Sequence, residues 1–232
     1  MATARFQFFG DIGQFLPPPK RSAPFEFSCA RAASLKNAIE ALGVPHTEVG
    51  PVAVNGEPAT LQRTVRDGDF IEVHPKEKEA PHLFVADAHL GGLARFLRML
   101  GYDTVFHDRL QDSEIRRLAE EERRIVLTRD RELLKCREIA RGCYVRALKP
   151  EAQLREVAGR YDLASAARPF TLCLNCNVAL RPIDRASLPG QVPEKILQLH
   201  DSFMHCGGCG RVYWPGSHFD RMRAALGRAL DR

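Results

Sequence analysis

The strongest constraint on this fold is a pair of cysteine doublets near the C-terminus. Cys173 and Cys176 form one C-x-x-C doublet, Cys206 and Cys209 form the other, and 29 residues separate the two. Four thiolates in such doublets are typical of a closed, tetrahedral Zn²⁺ site, which is structural rather than catalytic. The sequence therefore predicts a zinc ribbon, and because a ribbon has little core, the metal supplies much of its folding free energy.

The remaining composition is that of an ordinary globular protein, with 44% apolar and 27% charged residues. No apolar run approaches the roughly 18–20 residues that a membrane-spanning helix needs. The N-terminal residues also lack the basic head and apolar stretch of a secretory signal. We therefore expect a cytoplasmic protein with no membrane partner.

Two breaks in the apolar pattern divide the chain into three predicted domains. A polar stretch with two prolines spans 74–82, and periodicity is lost near 161–171, just before the first cysteine doublet. The predicted domains are therefore residues 1–78, 82–160 and 168–232, the last being the zinc ribbon with a C-terminal helix.

The N-terminal segment reads as short strands around one helix. Phenylalanines alternate with polar residues at 6 and 8 and again at 25 and 27, Ser34 caps a helix, and the stretches VNGEP and RDGDF predict turns between later strands. This pattern resembles the β-grasp fold of ubiquitin-like sulfur carriers, which act through a free C-terminal Gly-Gly. Here the corresponding end continues into PKEKEAPHLF. We therefore expect either a docking module for a protein partner or a scaffold module, and not a carrier.

The middle segment alternates between strands and helices, which predicts a parallel sheet and an α/β fold class. Strands are predicted at 83–87, 102–107, 124–128 and 143–148, and helices are predicted at 90–101, 113–122, 131–140 and 151–160.

Acidic side chains follow three of these predicted strands. Asp87 ends the first strand, Asp112 follows the second, Asp130 follows the third, and Glu132 comes two residues later. Ligands bind outside the carboxyl ends of parallel strands, and clustered carboxylates suit Mg²⁺ or Mn²⁺. Asp112 and Asp130 could equally cap the helices that follow them. Asp87 is harder to explain in this way, because no helix in evident need of a cap follows it directly.

The stretch from Phe84 to Leu133, which includes the motif TRDREL, resembles the Mut-seven C-terminal RNase domain family, a branch of the PIN-like nucleases. The paired cysteines and the N-terminal ubiquitin-like module extend this resemblance over nearly the whole chain. It implies Mg²⁺- or Mn²⁺-dependent RNA cleavage, with Asp87, Asp112 and Asp130 at the family's acidic positions. Glu132 would be the fourth acid, where related sequences often have Asp, and Glu114 and Asp108 are the reserve candidates.

Arginine dominates the basic residues of the middle segment, where it supplies 14 of the 16 between residues 81 and 160. Its planar fork matches phosphate oxygens. Arg95, Arg98 and Arg129 form either a phosphate clamp or a solvated basic face, and Trp214 either stacks on an RNA base or packs the ribbon against the nuclease domain. The alternative to a ribonuclease is a catalytically weak RNA- or ribosome-binding adaptor. By analogy with PIN-like nucleases, a homodimer is compatible with either function.

Overall fold

The computed structural model describes residues 1–80, 83–188 and 190–230. They form two compact units: the first contains Met1–Lys78 and Asp112–Tyr144, and the second contains Glu79–Gln111 and the chain from Val145 onward. The predicted linker at 74–82 and the predicted domain start at 82 lie partly outside the described residues. Within these residues, no helix combines the length and the apolar character needed to cross a bilayer.

The N-terminal part of the first unit is a five-stranded mixed sheet with one helix. Its elements, in chain order, are β1 (Ala2–Phe8), β2 (Phe25–Cys29), α1 (Leu35–Ala41), β3 (Val49–Val54), β4 (Glu57–Ala59) and β5 (Phe70–Pro75). The strand order is β2-β1-β5-β3-β4, with a parallel β1–β5 pair between antiparallel neighbours. Helix α1 begins where predicted, because the Ser34 hydroxyl accepts a bond from the Asn37 N–H at 3.2 Å. This arrangement confirms the β-grasp fold.

Two turns of the β-grasp are tied to each other by side chains. Asn55 and Gly56 both have positive φ, which a two-residue hairpin between β3 and β4 requires. The Asn55 side chain accepts a bond from the Phe70 N–H at 2.8 Å and donates one to Asp69 at 3.1 Å. The Asp69 carboxylate also accepts a hydrogen bond from each terminal nitrogen of Arg63, at 2.7 and 3.1 Å. These contacts give a physical reason for the sequence pattern that predicted the fold.

Short parallel strands and flanking helices follow the β-grasp. In chain order they are β6 (Phe84–Ala86), α2 (Gly91–Met99), β7 (Thr104–Val105), α3 (Asp112–Glu121), β8 (Ile125–Thr128), α4 (Arg131–Lys135), β9 (Gly142–Tyr144) and α5 (Pro150–Arg160). The pairs β6–β7 and β8–β9 are both parallel, as the alternation predicted. The strand predicted at 102–107 has only two residues, and the helix predicted at 131–140 ends at Lys135 because Cys136 is extended.

Within the first unit, the β-grasp packs on the segment that contains α4 and β9. The Glu48 carboxylate accepts a bond from the Tyr144 N–H at 2.6 Å, and the guanidinium of Arg131 lies 5.0 Å from the Phe15 ring and 5.2 Å from the Tyr144 ring. Tyr144 is also half-buried against the β-grasp core. Hydrogen bonding, ring packing and cation–π contacts thus join the ubiquitin-like module to the segment that contains α4 and β9.

The C-terminal part of the second unit carries the cysteines on a small antiparallel sheet. Its elements are β10 (Leu180–Pro182), α6 (Glu194–Leu199), β11 (Met204–Cys206), β12 (Val212–Tyr213) and α7 (Ser217–Leu230), and the strand order is β10-β11-β12. The residues between the two doublets build a separate apolar core from Leu188, Val192, Leu197 and Phe203. The ribbon therefore has an apolar core of its own, where the sequence analysis expected little.

Candidate functional site

The four predicted zinc ligands gather at one point. Their sulfur atoms all lie within 4.8 Å of one another. Cys173 Sγ is 3.6 Å from Cys209 Sγ, and Cys176 Sγ is 3.3 Å from Cys206 Sγ. A tetrahedral ion with Zn–S bonds of about 2.3 Å places its sulfurs about 3.8 Å apart. The observed spacing fits a zinc ion held by Cys173, Cys176, Cys206 and Cys209.

The thiols have unequal pKa values, which the surroundings explain. Burial alone would raise the pKa of Cys173, but hydrogen bonds from the Tyr213 hydroxyl, at 3.1 Å, and from backbone N–H groups lower it to about 6. Burial and the neighbouring Cys206 thiol raise the pKa of Cys176 to about 12. Sulfurs this close resist joint ionisation unless a cation lies between them, which agrees with a metal centre.

Arg98, predicted as part of a phosphate clamp, is buried on α2 with 3% of its surface exposed. Its guanidinium donates to four backbone carbonyls, those of Thr104, Phe106, Leu174 and Asn175, at 2.7 to 3.4 Å. Burial lowers its pKa, while the thiols of Cys173 and Cys176 and the Asp103 carboxylate favour the charged form. This environment gives Arg98 a structural role, and we do not include it among the proposed RNA contacts.

Three of the predicted catalytic acids lie in the first unit. Asp112 is the first residue of α3 and is exposed. Asp130 caps α4, and its Oδ1 accepts the N–H groups of Glu132 at 2.7 Å and Leu133 at 3.4 Å. Burial is the largest cause of the raised pKa of the Cys136 thiol; Arg116 acts against it, and the carboxylates of Glu138, Asp112 and Asp130 add smaller contributions.

Glu132 is less constrained than these two aspartates. Its side chain is 78% exposed and forms an ion pair with Lys135 at 2.6 Å. An exposed pair of this kind contributes little to stability, so the carboxylate can exchange partners at low cost.

Asp87 directly follows β6 in the second unit, where it caps a short 3-10 helix. Its Oδ1 accepts the Ala88 N–H at 2.6 Å, and the helix runs over Ala88–Leu90 before α2 begins. Asp87 therefore caps a helix, and the prediction that no helix after this strand needs a cap was wrong. The helix predicted at 90–101 left Ala88 and His89 outside it, so the short helix was not expected.

The other predicted contact residues fall into two groups. Arg95 and Arg129 are exposed, as are the reserve acids Asp108 and Glu114. Trp214 instead packs on the ribbon's apolar core, with its ring centroid 6.5 Å from that of Phe203. This contact is with the ribbon's own core, whereas the packing predicted for Trp214 was against the nuclease domain.

Comparison with protein-family models decides the family. A model described as "Mut7-C RNAse domain" matches residues 82–226, and one described as "Mut7-C ubiquitin" matches residues 1–80. The chain belongs to the Mut7-C RNAse domain family. The resemblance inferred from the sequence is confirmed, including the ubiquitin-like module. For this Mut7-C protein a nuclease-type function follows from the family.

Solved structures similar to the Mut7-C chain cover a third of its length. They include small archaeal modifier protein 1 of H. volcanii, with 21% identity over 33% of this chain and 100% of that one, at a TM-score of 0.27. A putative molybdopterin converting factor, subunit 1, from Pyrococcus furiosus has 17% identity with the same two coverages and TM-score. No curated protein sequence matches this chain.

The sequence analysis did not predict the contacts of two residues beside the zinc ligands. Tyr213 contacts the Cys173 thiol, as described above. Asn177 directly follows the first doublet and has a positive φ of 66°. Its side chain accepts a hydrogen bond from the Thr104 N–H and donates one to the Asp103 carboxylate. An asparagine directly after a C-x-x-C doublet is a recognisable signal for a left-handed position, although the partners of its amide are visible only in the fold.

Proposed function

We propose that this Mut7-C protein is a metal-dependent ribonuclease that hydrolyses RNA phosphodiesters with Mg²⁺ or Mn²⁺ held by carboxylates. The proposed catalytic acids are Asp87, Asp112, Asp130 and Glu132. The observation that best supports the proposal, within a nuclease family, is that Asp87 directly follows the parallel strand β6 and Asp130 lies two residues after the parallel strand β8, each at the carboxyl end of its strand. Ligands bind outside that end of parallel strands, and carboxylate oxygens are the ligands that Mg²⁺ and Mn²⁺ prefer.

The exposure of Asp112, Asp130 and Glu132 suits the chemistry of the ion. Mg²⁺ keeps several of its waters and binds proteins through one or two carboxylates together with substrate phosphates. Once bound, such an ion supplies a lower pKa for an attacking water and charge stabilisation for the leaving oxygen. The protein's contribution is orientation: the cap formed by Asp130 Oδ1 fixes the direction of its carboxylate.

We propose Arg95 and Arg129 as contacts for the RNA backbone. Both are exposed, and Arg129 adjoins Asp130 in the sequence. Guanidinium groups at the surface can pair with phosphate oxygens without paying a desolvation penalty in advance. We further propose a cytoplasmic setting, a protein partner for the β-grasp surface, and, by analogy, a homodimer.

Asp130→Asn is the sharpest test, because asparagine caps a helix as well as aspartate does. The variant should therefore keep the stability of the protein and lose cleavage of labelled RNA in Mg²⁺ or Mn²⁺. Asp87→Asn and Asp112→Asn should behave likewise, and the matched control is Asp201→Asn, which changes a 98% exposed carboxylate in the ribbon. Full activity in all three variants would reject the carboxylate site.

A second function is favoured by one specific observation. Asp87 and Asp130 both serve as helix caps and Glu132 pairs with Lys135, so each of these acids has a structural use. Such a chain could act as an RNA- or ribosome-binding adaptor. Tight RNA binding by the wild type, with no cleavage of several RNA classes in either metal, would favour the adaptor over the enzyme.

A further inference from the structure

The first cysteine doublet is held by residues outside the ribbon. Arg98, on α2, donates to the carbonyl oxygens of Leu174 at 3.1 Å and Asn175 at 2.7 Å, which are the two residues between Cys173 and Cys176. The same guanidinium donates to the carbonyls of Thr104, on β7, and of Phe106. One side chain thus joins the metal-binding turn to a helix and a strand of the RNase domain.

Asn177 makes a second bridge between the same elements. Its Oδ1 accepts the Thr104 N–H at 3.1 Å, and its Nδ2 donates to the Asp103 carboxylate at 2.6 Å. Strand β7 pairs with β6 along one edge. Along its other edge, the Asn177 side chain accepts the Thr104 N–H bond that a neighbouring strand would otherwise accept. Thr104 is fully buried, and an unpaired N–H there would be costly.

The end of α2 rests on the segment that leads into this doublet. The carbonyls of Leu100 and Met99 accept the N–H groups of Arg168 and Phe170, at 2.8 and 2.9 Å. These bonds satisfy carbonyls that a helix end otherwise leaves unpaired. A side chain at Gly101 would collide with the Arg168 carbonyl oxygen, so the close approach needs glycine.

Charge adds to this connection. Four thiolates around one Zn²⁺ leave two negative charges on the cluster, and the buried Arg98 guanidinium supplies a positive charge beside two of the ligands. Metal binding strengthens the attraction that keeps Arg98 in place. Conversely, Arg98 and Asn177 hold the turn in the shape that presents Cys173 and Cys176.

We infer that Arg98 and Asn177 couple zinc binding in the ribbon to the order of α2 and β7 in the RNase domain. Both are positioning residues for the metal, and the ion in turn stabilises elements that do not touch it. Coupling between sites is reciprocal. The factor by which the contacts of Arg98 and Asn177 raise zinc affinity is therefore also the factor by which bound zinc slows hydrogen exchange in α2 and β7. The inference goes beyond the proposed function and holds whether or not the protein cleaves RNA.

The wild-type protein provides the first test, with hydrogen exchange followed by mass spectrometry as Zn²⁺ is removed by a chelator. Losses of outer partners of metal ligands typically cost about 10- to 100-fold in metal affinity. Exchange across 91–105 should therefore accelerate by about the same factor on chelation, while exchange in β1 and β5 should stay constant. Unchanged exchange across 91–105, with the ribbon itself unfolded, would overturn the inference.

Two variants separate coupling from a general loss of stability. Arg98→Lys keeps a cation but loses the planar fork, and Asn177→Gly removes the amide while tolerating the positive φ. In competition with a chromophoric chelator, each should bind Zn²⁺ about 10- to 100-fold more weakly. Each should also show fast exchange across 91–105 even when zinc is bound.

Arg155→Met, which changes an exposed arginine on α5, is the matched control and should retain wild-type zinc affinity. If Arg98→Lys does not fold, Asn177→Gly and the wild-type chelation experiment still decide the question. Wild-type zinc affinity in Asn177→Gly would contradict the coupling.

Discussion

The Asp69 carboxylate offers a quantitative test of what holds the β-grasp together. Its side chain is 5% exposed and accepts four hydrogen bonds: two from Arg63, one from the Arg66 N–H at 2.8 Å and one from Asn55. Arg63 holds the pKa of Asp69 below its usual value, although burial acts in the opposite direction. Asp69→Asn removes the charge and turns an amide N–H group toward donors.

The expected loss follows from these contacts. Breaking a buried ion pair costs about 3–5 kcal/mol, and hydrogen bonds to a charged group contribute about 1.5–3 kcal/mol. Because the Arg63 side chain is 29% exposed, solvent reduces the penalty. We therefore expect Asp69→Asn to lower the free energy of unfolding of the β-grasp by about 2–3 kcal/mol.

Native-state hydrogen exchange of amides in β1, β3 and β5 measures this free energy in the full chain. Asp67→Asn is the matched control: Asp67 is exposed, accepts one bond from the Thr3 N–H at 2.8 Å, and keeps an acceptor oxygen as asparagine. It should cost less than about 0.5 kcal/mol. Equal losses in the two variants would refute the assignment of stability to the Asp69 network.

Three further predictions concern pH, packing and metal. The fold lowers the pKa of Asp69, so the ionised carboxylate stabilises the protein above its unfolded pKa of about 3.9, and this stabilisation is lost as the pH falls through the folded pKa. The free energies of unfolding of the wild type and Asp69→Asn should therefore converge in acid. A constant difference between them down to pH about 2 would contradict this. Phe84→Ala empties a fully buried position between Tyr102 and Tyr161 and should cost about 3–5 kcal/mol in urea unfolding, whereas a loss under about 1 kcal/mol would contradict the packing. Removal of zinc should shift the emission of Trp214, the one tryptophan of the chain, to longer wavelength, and unchanged emission would show that its core folds without the metal.

The parts of the fold that depend on local chemistry were predictable from the sequence. The Asn-Gly turn, the Ser34 cap and the paired cysteines each specify their backbone conformation within a few residues. The alternation of apolar runs likewise gave the α/β class and the order of elements. These features agree with the structure because their partners lie nearby in the chain.

The errors lie where distant residues decide the local structure. Strand β7 is short, and the N–H of Thr104 is taken by Asn177, which lies 73 residues later. Arg98 looked like its surface neighbour Arg95, yet its carbonyl partners at Leu174 and Asn175 bury it. A charged residue among Leu97, Met99 and Leu100 was the one available signal that this helix face contacts protein.

The candidate site divides along the same line. The zinc ligands were predictable because doublet spacing constrains them, and the structure brings all four together. The roles of Asp87, Asp112, Asp130 and Glu132 rest on long-range placement and on the family, so they stay predictions. The structure adds that Asp87 and Asp130 are also caps, which makes asparagine the informative replacement.

The most direct test of the proposed chemistry is the cleavage rate of labelled RNA as a function of Mn²⁺ concentration, measured for the wild type and Asp130→Asn. We expect a rate that rises and saturates with Mn²⁺ in the wild type and is lost in the variant, while the thermal stabilities of the two proteins agree. The same saturation curve in both proteins, or cleavage by the wild type that needs no divalent ion, would contradict it.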